Sequence, residues 1–181
     1  MNKLLGNTFY KLAHKISDIF LKLNFKTKIL NHAKSHRSDS ENGIYLTIIQ
    51  DILKKQKLFE NFKRNHLYRE TLEHVSEKEG AEYLEILRKN NIEILNRASE
   101  TVFLSDNQGN PVKFRYKESQ IPLSPTTLRY VKVASDLEKL FGKELGSVVE
   151  IGCGYGGQTL VNDQLLNVHN ATLFDLPLVN K

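Results

Sequence analysis

Apolar residues near the start of the chain recur at three- and four-residue spacing. Leu5, Phe9, Leu12, Ile16, Phe20 and Leu23 form one stripe, with Lys3, Lys11, Lys15 and Lys22 largely outside it. That period predicts an amphipathic helix. Ser38-Asp39-Ser40-Glu41-Asn42-Gly43 interrupts the pattern and reads as a linker or turn. Ile44, Leu46, Ile48, Ile49, Ile52 and Leu53 then crowd together as the buried face of a second helical region, and residues 58–75 look helical again. Ser76-x-x-Glu79 is a capping box, predicting a helix through Tyr83, Leu84, Ile86 and Leu87 to about Asn90, with Gly80 in its first turn. Between residues 101 and 117 the period changes to two. Residues 102–104, the turn-forming Asp106-Asn107-Gln108-Gly109-Asn110-Pro111, and alternating Val112, Phe114 and Tyr116 predict a β-hairpin. Ser124-Pro125 is a cap followed by proline at the first helical position. The helix it opens carries Leu128, Val131, Leu137, Leu140 and Phe141 and ends near Gly142. An apolar strand at Val148-Val149-Glu150-Ile151, a glycine-dense turn, a short helix and a second apolar strand at Ala171-Thr172-Leu173-Phe174 complete the pattern as a β-α-β unit.

Composition changes this picture little. Apolar residues are 40% and charged residues 26%, a globular balance. One Cys excludes an internal disulfide framework and suits a reducing compartment. No uncharged apolar run approaches bilayer length, and Lys11, His14, Lys15 and Asp18 interrupt any signal-peptide core, so a cytoplasmic location is expected. The net charge of +5 is unevenly placed: residues 1–37 hold seven Lys and Arg37 against Asp18 alone, a local +7. The remainder is slightly acidic. The excess therefore belongs to a basic arm rather than to a nucleic-acid surface. Such an arm suits packing on its own protein, docking on a partner, or contact with an anionic membrane. Phe59, Phe62, Lys63, Arg64, Tyr68 and Arg69 interleave aromatics with cations as single-strand binders do. Glu60 and Glu70 flank them, and helical spacing assigns the aromatics to a core, so no nucleic-acid partner is expected.

The chemistry concentrates at Glu150-Ile151-Gly152-Cys153-Gly154-Tyr155-Gly156-Gly157. A ligand can approach backbone at a strand-to-helix turn only where side chains are absent and positive φ is allowed, and both conditions select glycine. The helix that follows offers free N–H groups and a favourable dipole. Gly152-x-Gly154-x-x-Gly157 fits the dinucleotide fingerprint, while Glu150-x-Gly152-x-Gly154-x-Gly156 fits the acidic glycine pattern of S-adenosylmethionine-dependent methyltransferases. Asp175 stands where a second strand presents a carboxylate to ribose hydroxyls in either case. An acid at the end of the first strand crowds a pyrophosphate but faces the cationic end of S-adenosylmethionine favourably. That favours S-adenosylmethionine over NAD(P), which stays as the alternative.

Several stretches together resemble the bacterial sugar O-methyltransferases associated with surface polysaccharide genes. They are Asn61-Phe62-Lys63-Arg64, Glu73-His74-Val75-Ser76 with Gly80 and Tyr83-Leu84, Ser124-Pro125-Thr126-Thr127-Leu128-Arg129-Tyr130, the glycine segment through Gln158, and Phe174-Asp175-Leu176-Pro177. The resemblance runs from about residue 38 onward and leaves the basic arm outside. It implies a helical N-terminal region leaning on a Rossmann-like domain, with the cofactor over the glycine turn. Asp175, with Leu176 beside it, would hold the ribose, and Glu150 would lie near the methionine end. Thr126, Arg129 and Tyr130 would close over the methionine carboxylate, a role that suits a guanidinium. A sugar is the implied acceptor.

The expected fold class is thus α/β: a mostly helical N-terminal region with a β-hairpin, then the first β-α-β unit of a truncated Rossmann-like methyltransferase domain. Its divisions are a basic helical arm over 1–37, a helical region over 38–100, the hairpin and connecting helix over 101–145, and the cofactor unit over 146–181. Later strands, with an acceptor pocket and any general base, have no counterpart, so no catalytic residue is assigned. The chain is expected to be the N-terminal part of a split, frameshifted or truncated methyltransferase, inactive alone and completed by a C-terminal chain. A non-catalytic helical interaction module is the competing class. His32 and His36 have helical spacing but no third ligand, so no metal site is expected. Cys153 has no neighbouring base to make it a nucleophile.

Overall fold

A computed structural model describes residues 44–117 and 119–179. The basic arm and the linker at 38–43 lie outside the described residues. Helices dominate: α1 (Ile44–Lys54), α2 (Gln56–Glu60), a 3-10 turn (Phe62–Arg64), α3 (His66–Thr71), α4 (Glu77–Asn90), α5 (Ile92–Glu100), α6 (Val102–Ser105), α7 (Pro125–Phe141) and α8 (Gly157–Leu165). Strands β1 (Glu144–Ile151) and β2 (Asn167–Phe174) pair in parallel across α8 as a two-stranded sheet, with Val148 opposite Ala171 and Ile151 opposite Phe174. The protein is therefore a mixed helix-and-strand fold, mostly helical.

The capped helices begin where their side chains dictate. The Ser76 hydroxyl accepts from the Glu79 N–H at 3.2 Å, and the Glu79 carboxylate accepts from the Ser76 N–H at 2.8 Å, closing the capping box of α4. Ser124 accepts from the Thr127 N–H ahead of α7, with Pro125 at its first position, and Gly142 at φ +80° ends it. Gly80 has a packing reason. A Cβ there would stand 2.2 Å from the Tyr116 hydroxyl and 3.1 Å from the Pro125 Cα, so glycine permits the close crossing of α4 with the start of α7.

Two expectations need correction. Residues 58–75 do not form one helix: Asn61 closes α2, and Asn65 caps α3 by accepting from the Tyr68 N–H at 3.2 Å. Asparagine competes with helix continuation by bonding nearby backbone. The hairpin is also absent. Residues 102–105 are helical, which lets the adjacent Val102 and Phe103 both enter the core, something one strand face cannot do. The alternating Phe114 instead makes an isolated antiparallel bridge with Leu123. The turn residues fold onto the helical region, where the Gly109 carbonyl accepts from the Lys63 N–H at 3.0 Å.

The main core joins α4, α5, α6, α7 and α8 through Leu84, Leu87, Ile94, Val102, Leu128 and Val161. A smaller cluster of Ile48, Ile52, Phe62 and Tyr68 gathers α1, the 3-10 turn and α3. No residue of β1 or β2 is fully buried.

Candidate functional site

The glycine turn connects the C-terminal end of β1 to the start of α8. Gly152, Gly154 and Gly156 have φ of +74°, +54° and +77°, backbone that side chains resist. Cβ atoms at Gly152 or Gly154 would meet nothing within 4 Å. Glycine there serves backbone conformation and leaves that side of the turn open. The turn is tied to β2: the Gly152 N–H donates to the Phe174 carbonyl at 2.7 Å and the Gly154 N–H to Asp175 Oδ2 at 2.6 Å. Asp175 Oδ1 accepts from the Leu176 N–H at 2.7 Å. Sequence reasoning places Asp175 beside the turn, and the structure brings the two together.

The Glu150 side chain turns toward the start of α8. Its Oε2 accepts from both the N–H, at 3.2 Å, and the hydroxyl of Thr159. The carboxylate thereby satisfies a first-turn donor of α8, a position the helix dipole favours for an anion. Cys153 is buried, and its thiol is pushed up by burial and by the charges of Asp175 and Glu150. That shift disfavours the thiolate, the form in which a cysteine attacks.

The helical region approaches the turn through Tyr155. Lys63, whose side chain is only 1% exposed, donates from Nζ to the Tyr155 hydroxyl at 2.7 Å and lies 4.3 Å from the ring centroid. Its counter-ion is Glu73, 3.7 Å away and also nearly buried. Burial pulls the Lys63 ammonium below its usual range, and Glu73 opposes that shift. Tyr130 lines the same cavity as Tyr155, and burial holds both phenols neutral by raising them. Tyr45 of α1 belongs to the same neighbourhood: burial, then the charges of Asp175 and Cys153, raise its phenol to about 12.

The Thr126, Arg129 and Tyr130 group divides. Tyr130 lines a cavity with Tyr155, and its carbonyl accepts from Gln158 Nε2 at 3.2 Å. Arg129 lies beside the Tyr130 ring, 5.4 Å from its centroid. Thr126 is buried and lines a cavity of about 80 Å³ with Lys63, Arg69, Glu73 and Ser76, whereas Tyr130, Tyr155 and Gly157 line a separate one. Lys63 borders both. Sequence reasoning missed Lys63, Glu73, Tyr45 and Tyr155 as site residues. A cation between aromatic residues at 59–68 was the available signal, but it points equally to a solvated helix face.

Among the described residues no group of His, Cys, Asp or Glu suits a metal, and no helix is long and apolar enough to cross a membrane. No family model, no curated protein and no solved structure matches the chain.

Proposed function

We propose that the chain carries part of an S-adenosylmethionine site and acts within an O-methyltransferase. The observation that carries this reading is the open turn between two parallel strands, with three positive-φ glycines and the Asp175 carboxylate bonded to its rim. Ligands of open parallel sheets bind outside the carboxyl ends of the strands, where this turn lies. Asp175 would take the ribose hydroxyls, and the glycine backbone would pass under the cofactor. When bound, the cofactor supplies an electrophilic methyl group. The chain's own residues bind and orient it.

NAD(P) is the weaker alternative for a specific reason. Glu150 already places a carboxylate on a first-turn amide of α8, and a pyrophosphate would have to compete with that charge. A sugar acceptor and a cytoplasmic setting belong to the same proposal, as does the N-terminal-fragment reading. What supports that last reading is a two-stranded parallel sheet without a fully buried residue, since parallel sheets ordinarily have both faces covered.

Isothermal titration tests the proposal. The chain alone should bind S-adenosylmethionine weakly, and NAD not at all. A chain extended or complemented with the remaining strands should bind S-adenosylmethionine clearly. Failure of the completed protein to bind it, or preference for NAD, defeats the proposal. An interaction module is the outcome if no nucleotide binds and liposome or pull-down capture depends on residues 1–37.

A further inference from the structure

We propose that Lys63 is a positioning residue: acting through Tyr155, it holds the glycine turn in one shape. The turn spans Gly152-Cys153-Gly154-Tyr155-Gly156-Gly157, so Tyr155 is its one large side chain. Glycines on both sides of it, with φ of +54° and +77°, leave the backbone many alternatives. Something beyond local sequence must select one of them. The Tyr155 ring is the only handle of sufficient size, and the helical region grips it on several sides. Lys63 donates to its hydroxyl at 2.7 Å, the Phe62 ring lies 5.5 Å away, and Tyr130 lines the cavity beside it. At Gly157 a Cβ would stand 2.3 Å from the Tyr155 oxygen, so the phenol is pressed against the start of α8.

Lys63 is more than packing material. A buried ammonium is tolerated only when its donors are paired, and here the partners are Glu73 at 3.7 Å and the Tyr155 hydroxyl. Were Tyr155 to leave, Lys63 would lose its closest acceptor and the ring beneath it. The cost of stranding that charge falls on every alternative conformation of the turn. Pre-organisation of this kind lowers the ordering cost that a ligand otherwise bears. The consequence for the cofactor rests on the S-adenosylmethionine reading. The latch itself does not.

Amide hydrogen exchange on the chain separates the two. The Gly152, Gly154 and Gly156 N–H groups bond Phe174, Asp175 and Cys153, so their exchange reports the turn directly. Lys63→Met keeps the stem and removes the charge, whereas Lys63→Arg keeps the charge. Lys63→Met should speed exchange across 152–157 by about tenfold while α4 and α7 keep their protection, and Lys63→Arg should recover most of the loss. Tyr155→Phe keeps the ring and removes the hydroxyl. It should speed the same amides, and it decides the matter if Lys63→Met unfolds. Wild-type exchange at the turn in Tyr155→Phe, or in a folded Lys63→Met, overturns the proposal, as does Lys63→Arg exchanging as fast as Lys63→Met. Where the wild-type protein binds S-adenosylmethionine, Lys63→Met should weaken binding by about tenfold through the same ordering cost. A wild-type protein that binds none counts against the cofactor reading alone, because the exchange result is independent of it.

Discussion

Gly80 shows how one missing side chain sets a helix crossing. Alanine would gain about 1 kcal/mol of helix propensity there. Its Cβ would meet the Tyr116 hydroxyl at 2.2 Å and the Pro125 backbone at 3.1 Å, and only the first of these can swing away. Overpacking of this kind costs about 1–3 kcal/mol, so Gly80→Ala should lower the urea midpoint without changing the slope. Tyr116 adds a second prediction. Its hydroxyl is buried without a hydrogen-bond partner among the described residues, and burial followed by the Glu77 charge raises the phenol to about 12. Removing an unsatisfied buried group is nearly neutral or stabilising. Tyr116→Phe should therefore hold or raise the midpoint, and should recover part of the Gly80→Ala loss in a double-mutant cycle. Additive effects would mean that the Pro125 contact, not the hydroxyl, sets the cost. Gly80 was legible in the sequence as an oddity in a first turn. Its reason was not, because Tyr116 and Pro125 lie far along the chain.

Among elements, α5, α7 and α8 are clamped by charge as well as by apolar packing. Glu138 of α7 accepts from Asn91 at 2.9 Å and from Arg97 at 2.8 Å, and Arg97 also reaches the Leu165 carbonyl at 3.2 Å. Burial would raise the Glu138 carboxyl, but the hydrogen bonds from Asn91 and Arg97 and the charges of Arg97 and Lys143 outweigh it and hold it below its usual range. Its folded value is thus lower than its unfolded value of about 4.3. The stabilisation is present above that unfolded value and is lost as pH falls through the folded one. Stability measured by denaturant should decline on acidification from about pH 5 toward 3, and Glu138→Gln should flatten the decline. An unchanged profile in the variant would assign the acid sensitivity elsewhere. Glu79 titrates in the same direction, drawn down by hydrogen bonds from the Ser76 backbone and side chain. Element starts at Ser76, Ser124 and Pro125 were readable because capping is local chemistry. Asn61 and Asn65 offered the same kind of signal for the breaks near α3, masked by apolar residues at helical spacing. The 102–105 segment had no such local marker, and packing of Val102 and Phe103 decided it.

Across the whole molecule, apolar side chains concentrate outside the core on the sheet and the end of α7. Ile151 is 83% exposed, Val149 61%, Phe174 54% and Leu140 71%. Open parallel edges and apolar faces of this kind pair or aggregate. Ile151→Lys should reduce self-association in light scattering while leaving the unfolding free energy within about 0.5 kcal/mol, the range of exposed substitutions. A loss of stability instead would mean that this face already packs on something. The sequence by itself determined the caps at Ser76 and Ser124, the parallel β-α-β unit, the glycine turn and the placing of Asp175 beside it. The caps and the turn depend on φ preferences and hydrogen bonds that act within a few positions, while the strand pairing and Asp175, 21 residues from Gly154, follow from the strand–helix–strand period. Tertiary structure alone decided that Glu150 turns onto Thr159, that Thr126 faces a different cavity from Tyr130, and that Lys63 lies buried under Tyr155. Lys63 and Tyr155 stand 92 residues apart. No local pattern distinguishes a lysine bound for solvent from one that folding will enclose beside a carboxylate and a phenol, because burial belongs to the assembled core.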